Sequence, residues 1–199
     1  MSDDEREAWD ERYRSGAYRP RPQAGAFLES WIDRLPPGRA LDLACGAGRH
    51  ALRLARAGHR VDAVDVSGVA LQMARARAQA QNLDVNWVQA DLDRYEIPEG
   101  AYDVITVIRY VNRQLWPRLV SGLAPDGWLL IEHHLNTTAE VDGPGSPGFR
   151  LEPQELLAAF AGLRILLYEE TLEPANGPAA TGGRFALARL VACRGNPGW

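Results

Sequence analysis

The stretch LDLACGAGRH, from Leu41 to His50, decides the fold that we expect for this chain. An apolar run followed by two glycines is typical of a strand that leads through a tight turn into a helix. Glycine lets the backbone turn sharply, and it lets a ligand approach the main chain without a Cβ in the way. Because the free N–H groups of the following helix would face the same space, the stretch indicates a site for a nucleotide-like molecule.

The glycine spacing alone leaves the identity of that nucleotide open. Gly46, Gly48 and Ala51 satisfy the dinucleotide fingerprint, and Asp65 lies further along as a ribose acceptor, so a nicotinamide or flavin cofactor fits the spacing. Asp42, inside the strand, favours a different cofactor. An anion at that place would not help a turn to bind a pyrophosphate, whereas it would attract a cofactor that carries an ammonium group.

Short apolar strands alternate with helical patterns along the chain, which predicts a parallel sheet covered by helices. Ser67 is a candidate cap for a helix whose buried stripe we expect at Val69, Met73, Ala76 and Ala80. Pro153 is expected to open the last helix. The seven predicted strands cover residues 40–44, 61–66, 85–88, 102–108, 128–133, 163–170 and 184–193. Long loops at 136–148 and 174–183 are expected to act as lids or binding loops.

Composition narrows the class of protein. The chain has 199 residues and a formal net charge of −4, values that predict one domain and argue against a broad nucleic-acid-binding surface. The four arginines between Arg12 and Pro22 are predicted to lie on a solvated segment. An acidic start, the lack of a long apolar run and only two cysteines, Cys45 and Cys193, favour a cytoplasmic protein without a membrane partner.

Five stretches in sequence order resemble the motifs of class I S-adenosylmethionine-dependent methyltransferases. They lie between Leu41 and Ile131 and read LDLACGAGRH, VDAVDVS, QADL, YDVITV and LAPDGWLLI. The resemblance implies an α/β, Rossmann-like fold with a seven-stranded, mostly parallel sheet, the last strand antiparallel, and helices on both faces. It also implies that S-adenosyl-L-methionine binds at the carboxyl edge of the strands and leaves as S-adenosyl-L-homocysteine, a location that the general rule for open α/β sheets shares.

The resemblance assigns cofactor roles by position. Asp42 and the glycine turn would hold the methionyl part, Asp65 would accept the ribose hydroxyls, and Asp91 with Leu92 would face the adenine. A helix-capping carboxylate at Asp65 and a buried structural acid at Asp42 are the alternative interpretations. The complete set of cofactor-binding residues implied is Asp42, Cys45, Gly46, Gly48, Asp65, Val66, Asp91, Leu92, Ile108 and Tyr13.

Trp9, Arg12 and Tyr13 share one face of a predicted N-terminal helix. Their segment, WDERYRSGAYRP, resembles that of small bacterial tellurite-resistance-like methyltransferases, in which it folds over the cofactor as a cap. The single methyltransferase domain would then consist of cap helices at 1–35, a cofactor-binding core at 36–135, and a substrate-side loop with closing strands at 136–199.

The substrate is expected above the fourth and fifth strands. Tyr110, Arg109 and His133 are the candidate catalytic residues there. Candidate substrate-binding residues are His134, Arg150 and Arg184, of which the two arginines would suit an anionic acceptor if they face inward. We expect no metal, because the adjacent His133 and His134 point to opposite faces of a strand.

These features favour an enzyme that transfers a methyl group to a small molecule by in-line displacement. A nucleic-acid or protein methyltransferase is the alternative, although the catalytic Asn-Pro-Pro-Tyr of amino-methylating nucleic-acid enzymes is absent after the fourth strand. An NAD-dependent oxidoreductase is disfavoured, since no Tyr-x-x-x-Lys pair is present. A non-catalytic sensor of the cofactor, the acceptor atom and the oligomeric state stay open at this level.

Overall fold

The structure is a computed structural model that describes residues 3–175 and 183–198. The helices are α1 Asp3–Arg14, α2 Ala26–Trp31, α3 Arg49–Arg56, α4 Gly68–Gln79, α5 Trp116–Gly122 and α6 Glu155–Ala159. The strands are β1 Arg39–Leu43, β2 Arg60–Asp65, β3 Asn86–Gln89, β4 Tyr102–Ile108, β5 Leu123–His134, β6 Arg164–Pro174 and β7 Arg184–Cys193. Most of the predicted loop at 174–183 lies outside the described residues.

The seven strands form one sheet in the order β3-β2-β1-β4-β5-β7-β6. Strands β1 to β5 run parallel to their neighbours, while β7 is antiparallel to both β5 and β6. The predicted fold class is therefore confirmed. Chain connections reverse direction between β1 and β4, and a ligand of an open α/β sheet binds at such a switch point, beyond the carboxyl ends of the strands.

The two central strands bury residues on both faces, as their continuous apolar sequences predict. Leu41 and Ile105 belong to the core on one face, and Ala40 and Val104 belong to the core on the other. Because both faces are covered, the carboxyl edge of the sheet is the place where the strands β1, β2 and β4 present polar residues to a ligand.

The strand boundaries differ from prediction where the backbone changes conformation. Ala44 has φ +53°, so β1 ends at Leu43, one residue earlier than predicted. Strand β5 starts at Leu123 rather than Trp128, because Leu123 already pairs with Tyr102 before the register shifts. The sequence APDG is thus an irregularity within β5, with Asp126 at φ +62°.

The predicted buried stripe of α4 was wrong by about one residue. Ser67 does cap the helix by accepting a hydrogen bond from the amide of Ala70 at 3.1 Å. The buried face, however, consists of Ala70, Leu71, Ala74 and Ala78, while Met73 is 37% exposed. Small residues at Ala70, Ala74 and Ala78 allow the helix to approach its neighbours closely, and this packing decides which face is buried.

The last helix begins at Glu155 rather than at Pro153, since Gln154 has a left-handed φ of +62°. Among the described residues, no helix has the length and apolar character needed to cross a membrane.

Candidate active site

A cleft opens beyond the carboxyl ends of β1, β2 and β4. Its volume is about 820 Å³, including space open to solvent. The cleft is lined by Trp9, Tyr13, Tyr18, Pro20, Arg21, Ala44, Cys45, Gly46, Ala47, Arg49, His50, Asp65, Val66, Leu92, Ile108, Arg109 and Tyr110.

The glycine turn between β1 and α3 forms the floor of the cleft. Gly46 has φ +53° and Gly48 has φ +78°, a left-handed conformation that side chains rarely adopt. A Cβ at Gly48 would lie 2.5 Å from the ring of Trp87, so this position also has no space for a side chain. The turn is closed by the amide of Gly48, which donates to the carbonyl of Cys45 at 2.9 Å.

Asp65 ends β2 with its carboxylate against this turn. Its Oδ2 accepts from the amide of Gly46 at 2.7 Å, and its Oδ1 accepts from the amide of Ser67 at 2.9 Å. Burial raises the pKa of Asp65, while these amide hydrogen bonds oppose the rise. An ionised carboxylate has about four lone-pair directions, so Asp65 keeps capacity for further donors from the cleft.

Asp42 lies beneath the turn and does not line the cleft. Its carboxyl accepts from the amide of Ala51 at 3.0 Å and from the hydroxyl of Thr106 at 2.8 Å. Burial raises the pKa of Asp42 to about 7, against the lowering effect of these two hydrogen bonds. This arrangement matches the alternative interpretation of Asp42 as a buried structural acid that anchors the start of α3.

The N-terminal segment, residues 3–25, covers the cleft from one side. Asp10 of α1 accepts from the hydroxyl of Ser67 at 2.6 Å and from the amide of Val69 at 3.1 Å, which fastens α1 to the start of α4. The rings of Trp9, Tyr13 and Tyr18 pack against one another with centroids 5.2–6.1 Å apart.

Tyr13 is buried by this packing, and its hydroxyl lies over the glycine turn. A Cβ at Gly46 would be 2.6 Å from the Tyr13 oxygen. Burial, followed by the charge of Asp65, raises the pKa of Tyr13 well above its usual value, so the phenol stays protonated and can donate. The predicted helix face of Trp9 and Tyr13 therefore faces the cleft, whereas Arg12 is exposed and stacks on Trp9 at 4.7 Å.

Arg109 follows β4 with φ +67° and reaches the opposite end of the cleft. Its Nε donates to Glu132 at 3.0 Å, and its Nη1 lies 3.1 Å from Nε2 of His134. Glu132 also accepts from Arg189 at 2.6 Å, so one buried carboxylate serves two guanidinium groups. Burial lowers the pKa of His134 to about 3, so this imidazole is neutral and can accept from Arg109.

Several predicted site residues lie away from the cleft. The Nε2 of His133 donates to the carbonyl of Phe149 at 2.8 Å, and burial lowers its pKa to about 4. Arg150 is buried and binds the carbonyls of Pro144, Leu135 and Asp142, so it stabilises the loop at 136–148. Arg184 is exposed at the start of β7. The residues predicted for the site that do not line the cleft are Asp42, Gly48, Asp91, His133, His134, Arg150 and Arg184.

The other predicted residues are brought together in the cleft, and further residues join them that the sequence did not single out. Arg21 was grouped with arginines on a solvated segment; Arg12, Arg14 and Arg19 are exposed, but Arg21 faces the cleft. Arg49 and His50 directly follow the glycine turn in the sequence, and this position could have identified them as candidate site residues. His50 is buried and its Nε2 accepts from the amide of Gly25 at 3.2 Å, which holds the N-terminal segment to α3.

Within the described part of the chain, no group of three or more metal-ligating side chains comes together. The described side chains that line the cleft include the carboxylate of Asp65, the guanidinium groups of Arg21, Arg49 and Arg109, the phenols of Tyr13, Tyr18 and Tyr110, the thiol of Cys45 and the imidazole of His50.

Residues 40–127 match the family model described as a methyltransferase domain. The matched region begins at β1 and includes the glycine turn, Asp65 and Arg109, so the resemblance that the motifs predict is confirmed.

The chain is similar to curated and solved proteins that are named as methyltransferases. The Ubiquinone biosynthesis O-methyltransferase of Albidiferax ferrireducens is 29% identical over 125 residues, which cover 57% of this chain and 49% of that protein. The "Probable S-adenosyl-L-methionine-dependent methyltransferase TehB" of Haemophilus influenzae is 24% identical over 160 residues, 77% of this chain and 55% of that protein. The chain thus spans about half the length of these curated relatives.

Two crystal structures share the fold of this chain. TehB from Haemophilus influenzae has a TM-score of 0.76 at 22% identity, covering 93% of this chain and 67% of that chain. Geranyl diphosphate C-methyltransferase from Streptomyces coelicolor A3(2), solved with S-adenosyl-L-homocysteine, has a TM-score of 0.71 at 16% identity, covering 96% of both chains.

Proposed function

We propose that this protein is an enzyme that transfers a methyl group from S-adenosyl-L-methionine to a small-molecule acceptor. The observation that carries the proposal is the position of Asp65 at the carboxyl end of β2, in the wall of the cleft and bonded to the amide of Gly46. A buried carboxylate beside a glycine turn is suited to bind a ribose diol. Relatives and structural neighbours named as methyltransferases support the reaction class.

The residues of the cleft fit the donor from end to end. Asp65 would hold the ribose, and Val66 with Leu92 would contact the adenine on the β2 side. The turn at Cys45 and Gly46, together with the phenol of Tyr13, would hold the methionyl part. Ile108, at the end of β4, would lie on the path between donor and acceptor.

Asp42, Gly48 and Asp91 would act from outside the cleft wall. Asp42 and Gly48 shape the turn from beneath, and Asp91 continues from β3 in the loop that carries Leu92. Their direct contact with a cofactor, which the sequence resemblance implies, stays a prediction.

When bound, the donor supplies a methyl group on a positively charged sulfur that leaves as a neutral thioether. A lone pair of the acceptor forms the new bond to the methyl carbon while the electron pair of the carbon–sulfur bond returns to sulfur. The protein must align the two partners and exclude water, and such positioning alone can lower the barrier by roughly 7–11 kcal/mol. The rings of the N-terminal segment would exclude water, and Tyr110 and Arg109 would orient the acceptor.

Calorimetry with three ligands tests the donor. We expect S-adenosyl-L-methionine and S-adenosyl-L-homocysteine to bind at micromolar concentration and NAD to bind much more weakly. Tight binding of NAD without binding of the other two would instead identify a nicotinamide-dependent protein. A labelled-methyl transfer screen over thiols, phenols and small acids then distinguishes an enzyme from a sensor that only binds the donor.

A further inference from the structure

Two arginines in the cleft have no partner among the residues that the structure describes. Arg21, between α1 and α2, and Arg49, the first residue of α3, are half-buried and line the cleft. Among residues 3–175 and 183–198, neither guanidinium makes a hydrogen bond or an ion pair. By contrast, the half-buried Arg39 and Arg53 each bind a carboxylate, at 2.8 Å. Since a partly desolvated cation is unfavourable without a counter-ion, the pair indicates an anion that the chain itself does not supply.

Arg109 adds a third positive charge to the same cleft. Unlike Arg21 and Arg49 it has a carboxylate partner, Glu132, which also binds Arg189, while Arg189 pairs in addition with Glu169 and Glu173. Burial lowers the pKa of Arg49 and of Arg109, and the charge of Arg21 lowers both further. The three cleft arginines therefore repel one another in the ligand-free protein.

The sheet places Asp65 and Arg109 at different ends of the cleft. Asp65 ends β2 on one side of β1, and Arg109 follows β4 on the other side. The glycine turn after β1 and Arg49 at the start of α3 lie between them. A ligand that spans the cleft thus meets a carboxylate at the ribose end and positive charge at the end where the acceptor would bind.

The charges exceed what the donor alone can balance. This step rests on the proposed function, in which the donor brings a single carboxylate that can pair with one arginine. A second anion is then needed for the other, and a guanidinium binds a carboxylate through two parallel hydrogen bonds. The rings of Tyr18 and Tyr110 line the same cleft and offer apolar contact to a carbon skeleton.

We propose that the methyl acceptor is a small organic acid whose carboxylate is held by Arg21 or Arg49 together with Arg109. The arginine that does not hold the acceptor would pair with the carboxylate of the donor. Arg150 and Arg184, the two arginines that the sequence suggested for an anionic acceptor, do not line the cleft. The expected preference for an anionic acceptor stays the same, but we assign it to different arginines.

Binding of a carboxylate probe to the protein saturated with S-adenosyl-L-homocysteine tests the proposal. Benzoate is titrated by calorimetry against benzamide, its neutral counterpart of nearly the same shape. We expect benzoate to bind at least tenfold more tightly than benzamide. Of Arg21→Gln and Arg49→Gln, we expect one to weaken benzoate at least tenfold while changing the affinity for S-adenosyl-L-homocysteine less than threefold. The other removes the partner of the donor carboxylate and should weaken S-adenosyl-L-homocysteine instead.

Arg164→Gln is the matched control, because Arg164 is exposed at the start of β6 and outside the cleft. It should leave both affinities unchanged. Equal affinity for benzoate and benzamide, or full retention of benzoate binding in both cleft variants, would overturn the organic-acid proposal and leave the proposed function intact. Inorganic phosphate binding as tightly as benzoate would overturn the requirement for a carbon skeleton. Failure of S-adenosyl-L-homocysteine to bind at all would overturn both.

Thermal unfolding provides a second readout, because loss of an arginine with a structural role would lower the melting temperature of the ligand-free protein. Because Arg21 and Arg49 repel each other and have no partner among residues 3–175 and 183–198, Arg21→Gln and Arg49→Gln should leave the melting temperature of the ligand-free protein unchanged or raise it. The variant that lacks the acceptor-binding arginine should show a smaller rise in melting temperature with benzoate. A clear loss of stability in both ligand-free variants would mean that these arginines support the fold, which contradicts the proposal.

Discussion

Asp65 has two roles at the level of the single residue, since its carboxylate holds the glycine turn and also faces the cleft. Asp65→Ala should weaken binding of S-adenosyl-L-homocysteine by roughly 1–3 kcal/mol, because charge-assisted hydrogen bonds to the ribose are lost. Calorimetry measures the change. Asp84→Ala is the control, as Asp84 is exposed and outside the cleft. Unchanged affinity in a folded Asp65 variant would show that the ribose binds elsewhere.

Asp42 gives a prediction about pH. Burial raises its folded pKa to about 7 from an ordinary value of 3.8, so between these pH values the folded protein keeps a proton that the unfolded chain has released. The contribution of Asp42 to stability therefore falls as pH rises through this window. Asp42→Asn removes this titration while keeping a hydrogen-bond acceptor for Ala51.

The wild-type protein should accordingly lose about 2–3 kcal/mol of unfolding free energy relative to Asp42→Asn between pH 5 and pH 8. Urea unfolding at several pH values measures the difference. Parallel pH profiles for the two proteins would show that Asp42 titrates in the folded state as it does in the unfolded chain.

At the level of elements, helix α1 is held on the molecule by a small number of contacts. Asp10 satisfies the hydroxyl of Ser67 and the amide of Val69 at the start of α4. Asp10→Ala should cost about 1–2 kcal/mol of stability, since it removes a charged hydrogen-bond acceptor at a helix N-terminus. Hydrogen exchange should become faster in α1, and the affinity for S-adenosyl-L-homocysteine should fall severalfold because Tyr13 is no longer held over the turn.

Glu7→Ala on the exposed face of the same helix is the control and should change neither quantity. If α1 keeps its protection in Asp10→Ala, then ring packing around Tyr13, and not Asp10, fastens the N-terminal segment.

At the level of the whole molecule, donor binding should stabilise the fold. The cleft is lined by the N-terminal segment and by residues at the ends of β1, β2 and β4, so a bound ligand would contact all of them. A ligand at 100 times its dissociation constant adds about 2.7 kcal/mol. For a domain of this size, that corresponds to a rise in melting temperature of roughly 5–11 °C. Differential scanning fluorimetry should show this rise with S-adenosyl-L-homocysteine and a smaller one in Asp65→Ala. No shift in the wild-type protein at saturation would contradict the proposed site.

The parts of the fold that follow from local pattern were predictable. Strand β4 and strand β7 have the predicted bounds, and Ser67 caps α4 as expected. Strand alternation, helix caps and glycine turns depend on residues a few positions apart, so one segment contains the whole signal. The prediction of the buried face of α4 was wrong because Met73 and Leu71 are both apolar. Only packing against the neighbouring elements decides which of them is buried.

The candidate site divides in the same way. By itself, the sequence determined the glycine turn, the position of Asp65 at a strand end and the sheet edge where we propose that a ligand binds, because these follow from local backbone chemistry. Only the tertiary structure decided which arginines face the cleft. Arg150 donates to loop carbonyls, while Arg21 and Arg49 have no partner in the part of the chain that the structure describes. The physical reason is that a long guanidinium side chain binds whichever acceptor the folded chain brings within reach, and such acceptors come from segments distant in sequence.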